Sequence, residues 1–374
     1  MNWTDIVGNW NRHAAVGGGH DIDADSAYTL MCTACAPFAR GMRHFALPAL
    51  TFEADGATVT SPGDLLPTLD DASLSRYAAR LDEHATSWRL GLTEPLFTDP
   101  HLWSRVRDLL MPLWHSDVGL PVLPVASELI LAKSTVLCEP ESTHVTLVAI
   151  LSGEITLDGR SVSPGEVVHL PTEATTPLVT DRVSLALRLR VPVGRRLAAA
   201  EALKILTGVV AADAATAAEP VPQPPFPPPV RGHELVLATS DAGERPPHRP
   251  DFVAEAERLA HVWWAGRAGA AGLDPTPDPD DRPPLRPDDV VRLAAPILVT
   301  SGADPDTELW AVNGTTFTVG GPVPGQVLRL LRTGEPVPVE RLCRDADGDP
   351  NGAEPLIDRL HDLRAVTVVE GAAS

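Results

Sequence analysis

The spacing of apolar and polar residues predicts two amphipathic helices in the first third of the chain. Apolar residues recur at intervals of three and four over 74–81, behind acidic and serine residues that are suitable caps. A second apolar stripe covers 99–114, where Asp99 is the expected N-cap and Pro100 occupies a first-turn position that tolerates proline. Residues 1–60 hold short apolar runs broken by Gly and Pro, which predicts short strands and loops.

Residues 119–195 change to short runs that are rich in leucine and β-branched residues. Gly and Pro residues separate these runs. Strands that recur at about 8 to 12 residues favour an antiparallel barrel or sandwich over a parallel sheet. The predicted strands are 127–131, 144–151, 154–157, 167–170 and 183–191.

A proline-rich region separates these strands from the end of the chain. An Ala/Leu-rich helix is predicted over 195–210, and the segment EPVPQPPFPPPV at 219–230 favours extended polyproline, typical of a semi-rigid spacer. Another helix is predicted over 251–266, and a Pro/Asp-rich connector follows at 274–290.

The last part of the chain, residues 291–374 and called the tail below, has the outline of a winged helix. Strands come first, with a hairpin turn predicted at Asn313-Gly314. Helices and a closing strand follow them. The predicted elements are strands 297–300, 308–312 and 315–319, helices 324–333, 339–344 and 354–363, and strand 365–370.

Charge argues against the most familiar use of a winged helix, which is DNA binding. The 374 residues include 30 Lys and Arg against 50 Asp and Glu, a net charge of −20, and the tail has no basic stripe. A chain this acidic repels phosphate backbones, so we expect no nucleic-acid partner. We assign the tail to protein contacts instead, either within a homodimer or with a partner enzyme.

Three further properties bear on location. No run approaches the roughly 18 to 20 apolar residues of a membrane-spanning helix, and the N-terminus lacks the pattern of a signal peptide. Four cysteines in a chain of this length make no disulfide framework. We therefore expect a cytoplasmic protein with reduced thiols and no membrane partner.

Four motifs in the strand-rich region carry a family resemblance. They follow the predicted helix over 99–114 in the order DVGLP at 117–121, SELIL at 127–131, ILSG at 150–153 and PGEVVHLP at 164–171. In this order they resemble the bacterial JmjC-type cupins, the ribosomal-oxygenase-like branch of the 2-oxoglutarate and Fe(II) hydroxylases. The resemblance implies a double-stranded β-helix barrel, a helical middle, a C-terminal winged helix and a peptide or protein substrate.

The same resemblance implies an iron site that this sequence does not reproduce. The family holds iron with a His-x-Asp pair and a distal His, which leave positions open for 2-oxoglutarate and oxygen. By strand register these three positions fall on Pro140, Ser142 and Thr176. The family's Arg or Lys anchor for 2-oxoglutarate is also missing from 154–157, which reads EITL. We therefore expect a retained barrel, lost iron chemistry and no cofactor.

Alternation along the strands identifies other candidates inside the barrel. Strand parity places Cys138, His144 and Thr146 on the inner face. His169 stands where the family carries an aromatic residue, so we expect His144 and His169 to approach each other there. Imidazole groups titrate near neutral pH, which suits acid–base catalysis with Cys138 or Glu141 nearby.

Two other interpretations of the same histidines stay open. In one, His144 and His169 join Glu141 or Glu173 in a relocated metal site, although the spacing matches no established pattern. In the other, both histidines are structural residues whose nitrogens are satisfied by hydrogen bonds.

Two further motifs have weaker functional signals. Cys32 and Cys35 form a lone Cys-x-x-Cys, without the second pair of a zinc site or the strand and helix context of a redox site. A GGGH segment at 17–20 precedes three alternating aspartates, a composition that suits either cation binding or, more commonly, a solvated loop.

Together these observations predict an α+β protein. Its expected parts are a JmjC-like cupin domain at 1–195, a helical connector with a Pro-rich linker at 196–290 and a winged-helix-like domain at 291–374. The expected function is metal-independent acid–base chemistry, such as addition or cyclisation, on a peptide of a bacterial pathway such as natural-product biosynthesis. The alternatives are an Fe(II)/2-oxoglutarate-dependent hydroxylase with relocated ligands and a non-catalytic peptide-binding pseudoenzyme.

Overall fold

The computed structural model of the chain describes residues 3–40, 47–121, 123–193, 249–278, 282–302, 304–344 and 350–369. Spatial proximity divides the chain into two units, one formed by Met1–Gly194 with Ala265–Ser374 and the other by Arg195–Trp264. The predictions for 195–210 and 219–230 lie outside the described residues.

The N-terminal part combines helices with strands. Its elements are α1 (Thr4–Gly8), β1 (Ala15–Gly18), α2 (Ala24–Ala39), β2 (Ala49–Ala54), β3 (Ala57–Thr58), α3 (Leu74–Leu81), β4 (Trp88–Thr93) and α4 (Pro100–Trp114). The expectation of only strands and loops over 1–60 is wrong for α2. Asp23 caps this helix by accepting from the Ser26 N–H at 2.8 Å, and its buried stripe includes Leu30, Met31 and Cys35.

The two helices predicted from apolar spacing, α3 and α4, are both confirmed. Asp99 caps α4 by accepting from the backbone N–H groups of His101 and Leu102, each at 3.0 Å. The buried stripe of α4 includes Val106 and Leu110, which are fully buried in the main core. Burying one such side chain contributes about 1.5–3 kcal/mol, so packing holds this helix in place.

The strands between 119 and 195 form an antiparallel barrel, as predicted. They are β5 (Ala126–Lys133), β6 (Thr135–Cys138), β7 (His144–Ser152), β8 (Ile155–Leu157), β9 (Arg160–Val162), β10 (Glu166–Leu170), β11 (Leu178–Thr180) and β12 (Ser184–Pro192). One sheet has the order β1-β10-β7-β12-β5-β4-β2-β3, and the other has the order β6-β11-β8-β9.

The two faces of the eight-stranded sheet are both buried, but against different partners. The barrel face turns toward the four-stranded sheet, and the apolar cluster between them includes Ile130, Val148 and Ala186. The helix-covered face packs against α2 and α4 and includes Leu129 and Leu187. Because successive residues of a strand point to opposite faces, each strand supplies both cores in alternation.

The tail forms the predicted strands and helices, together with two strands that were not predicted, at 290–293 and 337–338. Its elements are β13 (Val290–Leu293), β14 (Leu298–Ser301), β15 (Thr307–Val312), β16 (Thr315–Gly320), α6 (Val323–Leu331), β17 (Val337–Pro338), α7 (Val339–Arg344), α8 (Pro350–Asp362) and β18 (Val366–Val368), and they follow helix α5 (Arg249–Gly269). The Asn313-Gly314 hairpin is confirmed, with φ of 48° and 87°, the left-handed backbone that this turn requires.

Buried polar contacts join α4 both to the tail and to Ala271, which precedes the tail. Arg107 on α4 is 1% exposed and donates to the Asn313 side chain and to the Ala294 carbonyl, the latter at 3.2 Å. The indole N–H of Trp114 donates to the Ala271 carbonyl at 2.9 Å. These bonds give the buried donors of Arg107 and Trp114 partners from later parts of the chain.

The fold class is therefore confirmed as α+β, with an antiparallel barrel and a tail that has the outline of a winged helix. Across the described ranges, no helix is both long enough and apolar enough to cross a membrane.

Candidate functional site

The barrel face changes from apolar to charged along its strands. On β12, Ser184 and Ala186 precede Arg188 and Arg190 on this face, while the leucines between them point to the helix-covered face. On β5, Glu128 lies directly opposite Arg188 in the antiparallel register. The charges therefore collect at one end of the barrel, where β5 begins and β12 ends.

Glu128 is the central carboxylate of this charged end. One of its oxygens accepts from Arg89 Nη2 at 2.8 Å, and the other accepts from Arg188 Nη1 at 3.1 Å. The side chains of Glu128 and Arg188 are each 11% exposed. An unpaired ion buried to this extent would cost several kcal/mol, so these charges depend on one another.

Glu141 adds a second carboxylate from outside the strands. It lies in the segment 139–143 between β6 and β7, and its Oε1 accepts from Arg188 Nη2. Arg190 Nη1 lies 3.7 Å from the same oxygen, and His144 Nδ1 lies 3.1 Å from Oε2. Two of the predicted catalytic residues, Glu141 and His144, are thus brought together, next to arginines that the sequence analysis did not select.

Beside these ion pairs, some buried polar atoms of the described residues have no hydrogen-bond partner. In the described part of the chain, the Nε atoms of Arg188 and Arg190 and the Oγ1 atom of Thr146 are buried and have no hydrogen-bond partner. Thr146 lies opposite Arg190 in the register of β7 and β12. A buried donor without a partner costs roughly 1–3 kcal/mol, and such groups often mark a place that a ligand or water completes.

Gly91 on β4 makes room for the central carboxylate. A Cβ atom at this position would lie 2.6 Å from Glu128 Oε1, 2.6 Å from Thr51 Oγ1 and 3.2 Å from Arg89 Nη1. Real Cβ atoms do not approach that closely, so any larger residue here would displace the groups around Glu128.

The charged end carries excess positive charge in a chain whose net charge is −20. The arginine cluster, defined as Arg89, Arg188 and Arg190, faces the two carboxylates of Glu128 and Glu141. Three positive groups against two negative groups, largely withdrawn from water, favour a further anion.

Two titratable residues near the arginine cluster, His144 and Glu94, affect the net charge of this end of the barrel. Burial lowers the pKa of His144, Glu141 opposes that effect, and Arg190 and Arg188 lower the pKa further. Burial also raises the pKa of Glu94 to about 7, although its carboxylate accepts from the Ser127 N–H and hydroxyl. At neutral pH the imidazole of His144 therefore adds little positive charge, and Glu94 adds only part of a negative charge.

Cys138 lies at the end of β6 and is buried among the apolar residues of the barrel, as the parity argument predicts. Burial raises the pKa of its thiol to about 11, an effect that Arg188 partly offsets. The thiol is therefore protonated at neutral pH, and a thiolate nucleophile is not available at this position.

His169 does not join this group, so the expected approach of His144 and His169 inside the barrel is wrong. The register pairs His169 with Leu147 and Val168 with Val148, which puts His169 on the helix-covered face. Its Nδ1 donates to the His13 carbonyl at 3.1 Å.

The other ring nitrogen of His169 is also satisfied, since Nε2 accepts from the Asn11 N–H at 3.2 Å. The ring centroid lies 5.2 Å from that of Trp10, and burial lowers the pKa of His169 to about 4. These contacts match the structural interpretation of this histidine, and any catalytic role for it stays an untested prediction.

The residues at the positions implied for iron do not fit a metal ion. Pro140, Ser142 and Thr176 supply no imidazole or carboxylate. At the same place Cys138 pairs with Leu178 across β6 and β11, within the apolar cluster between the sheets. In the described ranges, no three His, Cys, Asp or Glu side chains come together to hold a metal ion. We therefore derive no step through iron from this donor set.

The weaker motifs have structural explanations. Cys32 and Cys35 are free and buried in α2, and burial raises the pKa of both thiols. His20 Nε2 lies 2.9 Å from the Ile150 carbonyl, whereas Asp21 pairs with Arg105 at 2.7 Å. The run that begins at Gly17 therefore serves strand contacts and the cap of α2.

Sequence reasoning missed the arginine cluster although a signal was present. Arg188 and Arg190 alternate with leucine and valine in the predicted strand 183–191, so both had to lie on one face. The partner of Arg188, Glu128, lies in the SELIL motif that was used for the family resemblance alone. Charged residues at every second position of an otherwise apolar strand are the pattern that would have identified the site.

Comparisons with known proteins give a fold but no close relative. No protein-family model and no curated protein matches the chain. Among solved structures, YcfD, a ribosomal oxygenase from Escherichia coli, is similar over 99% of this chain and 98% of its own, with 13% identity and a TM-score of 0.52. YcfD in complex with cobalt and succinic acid covers 99% of each chain, also with 13% identity and a TM-score of 0.52.

A third structure corrects the expectation that no cofactor is bound. YcfD in complex with cobalt and 2-oxoglutarate is similar over 99% of each chain, with 13% identity and a TM-score of 0.50. YcfD thus holds a metal and 2-oxoglutarate, which contradicts the expectation of no cofactor that was made from the missing ligands alone. The resemblance noted in the sequence is confirmed at the level of the fold: this chain has the fold of the JmjC-type ribosomal oxygenases.

Proposed function

We propose that the charged end of the barrel binds a small carboxylate ligand of the 2-oxoglutarate class, in a protein that acts on a polypeptide. The arginine cluster, with the leftover donors of Arg188 and Arg190, is the observation that carries the proposal. An arginine fork matches both oxygens of a carboxylate. The ligand class is supported by the neighbours of the same fold that hold 2-oxoglutarate or succinic acid.

The polypeptide part of the proposal rests on the name of those neighbours, since a ribosomal oxygenase suggests a protein substrate. A peptide of a biosynthetic pathway is the narrower form of the same hypothesis. The net charge of −20 favours a basic or neutral polypeptide. Protein contact through the tail, by a second copy or a partner enzyme, remains our proposal for that region.

Binding of 2-oxoglutarate by calorimetry tests the main proposal. We expect Arg188→Lys to weaken binding about tenfold or more, because lysine keeps the charge and loses the planar fork. The matched control is Arg160→Met, since Arg160 is 63% exposed on β9 and pairs with Glu166 at 3.9 Å. Equal affinities for the wild type and Arg188→Lys, or no binding by any variant, would reject the site.

The proposed function has two forms: an enzyme that converts 2-oxoglutarate, and a protein that binds its ligand without converting it. An iron- and 2-oxoglutarate-dependent hydroxylase is favoured by the cobalt complexes of the same fold. A non-catalytic peptide-binding protein is favoured by the donor set, in which the described residues offer no three-ligand group. Succinate release in the presence of Fe(II) and a candidate peptide separates them. Release that depends on Arg188 identifies the hydroxylase, whereas ligand binding without release identifies the binding protein.

A further inference from the structure

The two carboxylates of the charged end are held in different ways. Glu128 belongs to β5, which is hydrogen-bonded to β4 on one side and to β12 on the other, so its backbone is fixed by the sheet. Glu141 belongs to the segment 139–143, which lies between β6 and β7 and is joined to the end of β12 by a bond from the Val193 N–H to the Thr143 carbonyl at 3.0 Å. Its side chain is 25% exposed, against 11% for Glu128.

Glu141 also occupies the position that suits an incoming carboxylate. Its Oε1 meets the Nη2 atom of Arg188 and lies 3.7 Å from Nη1 of Arg190, the two arginines whose Nε atoms are left over. Its Oε2 lies 3.1 Å from His144 Nδ1. A ligand carboxylate that used the same two guanidinium groups would therefore compete with the carboxylate of Glu141 for the same donors.

We propose that Glu141 is a resident carboxylate that occupies the arginine cluster in the free protein and is displaced when a ligand carboxylate binds. This inference rests on the proposed function, since it needs a carboxylate ligand at the same arginines. It assigns Glu141 the role of an internal competitor that sets ligand affinity, in place of the acid–base role that the sequence suggested. Displacement also separates Glu141 from His144, so ligand binding and the state of the 139–143 segment are coupled.

The test compares two glutamine variants in the same segment. Glu141→Gln keeps the shape of the side chain and removes the competing charge, so we expect 2-oxoglutarate to bind about tenfold more tightly than to the wild type. Glu139→Gln is the matched control, because Glu139 is exposed in the same segment and, among the described contacts, no ion pair joins it to the arginine cluster. Succinate serves as a second probe, and circular dichroism checks that each variant is folded.

The outcomes distinguish this inference from the function on which it rests. Tighter binding by Glu141→Gln with unchanged binding by Glu139→Gln supports displacement. Unchanged or weaker binding by Glu141→Gln, while Arg188→Lys still loses affinity, overturns displacement and leaves the carboxylate site in place. Failure of every variant to bind, Glu141→Gln included, rejects both. Hydrogen exchange of 139–143 gives a second readout, which rises with bound 2-oxoglutarate if Glu141 is released and stays constant if it is not.

Discussion

His169 on the helix-covered face of the eight-stranded sheet and Arg188 on the barrel face differ in how far their buried polar atoms are hydrogen-bonded. On the helix-covered face, His169 donates to the His13 carbonyl and accepts from the Asn11 N–H, so both ring nitrogens are used. On the barrel face, Arg188 binds two carboxylates and its Nε still finds no partner within the described residues. Both side chains are largely buried, yet within the described residues only His169 has a hydrogen-bond partner for each of its side-chain nitrogens.

This difference, together with the charged groups around Arg188, separates His169 as a structural residue from Arg188 as a candidate binding residue. A buried group that has all its hydrogen bonds contributes to stability and gains nothing from a ligand. A buried group with a donor to spare gains from a ligand that supplies an acceptor. The sequence pointed to His169, because imidazole titrates near neutral pH, and did not select Arg188.

The largest expected effect is the loss of stability when Arg188 is replaced by methionine. This change leaves Glu128 and Glu141 without their shared partner, and breaking a buried pair from one side costs about 3–5 kcal/mol. Urea denaturation measures the free energy of unfolding. Leu189→Met, one residue along β12 and on the helix-covered face, is the control and costs less than about 1.5 kcal/mol.

A second comparison checks whether the loss comes from the unpaired carboxylates. Combining Arg188→Met with Glu141→Gln removes one charge of each sign and keeps the Arg89–Glu128 pair, so the double variant is expected to recover part of the lost stability. If the double variant is less stable than Arg188→Met alone, the unpaired carboxylate of Glu141 is not the source of the effect.

A smaller effect, of about 3 kcal/mol, concerns acid stability on the opposite face. His169 has a pKa of about 4 when folded, below its ordinary value of 6.5, because burial disfavours its charged form. Between pH 6.5 and about 4, His169 binds a proton in the unfolded chain but not in the folded chain. The free energy of unfolding therefore falls as the pH falls through this window.

Replacing His169 removes this contribution. His169→Gln is expected to be less stable at pH 7, since packing is lost, and to show a flatter decline between pH 6.5 and 4 in urea denaturation. His101→Gln, at an exposed position of α4, is the control and keeps the wild-type decline. An equally steep decline for His169→Gln would mean that other groups cause the acid sensitivity.

Much of the fold was predictable because its signals are local. The hairpin at Asn313-Gly314 follows from two residues, and α4 follows from an apolar period and a cap at Asp99. Helix α2 was missed since its buried stripe includes small residues such as Ala27 and Cys35, which give a weak apolar period.

The site was less predictable, because it depends on register between strands that are distant in sequence. Parity within β7 correctly placed His144 and Thr146 on one face. Placing His169 on β10 beside His144 from the family's aromatic position failed, since the pairing of those two strands is set by tertiary packing. Glu128 and Arg188 are 60 residues apart, so no local pattern joins them.

The smallest expected effect concerns the space beside Gly91 that the Glu128 carboxylate occupies on the barrel face. Gly91→Ala places a methyl group 2.6 Å from Glu128 Oε1, and such overpacking costs typically 1–3 kcal/mol. Gly18→Ala on β1 is the control, since its Cβ meets nothing within 4 Å. We expect only Gly91→Ala to lower the urea midpoint and to weaken 2-oxoglutarate binding, because moving Glu128 also moves the Arg188 fork. Lower stability with unchanged affinity would show that the central carboxylate holds the barrel together without positioning the ligand donors.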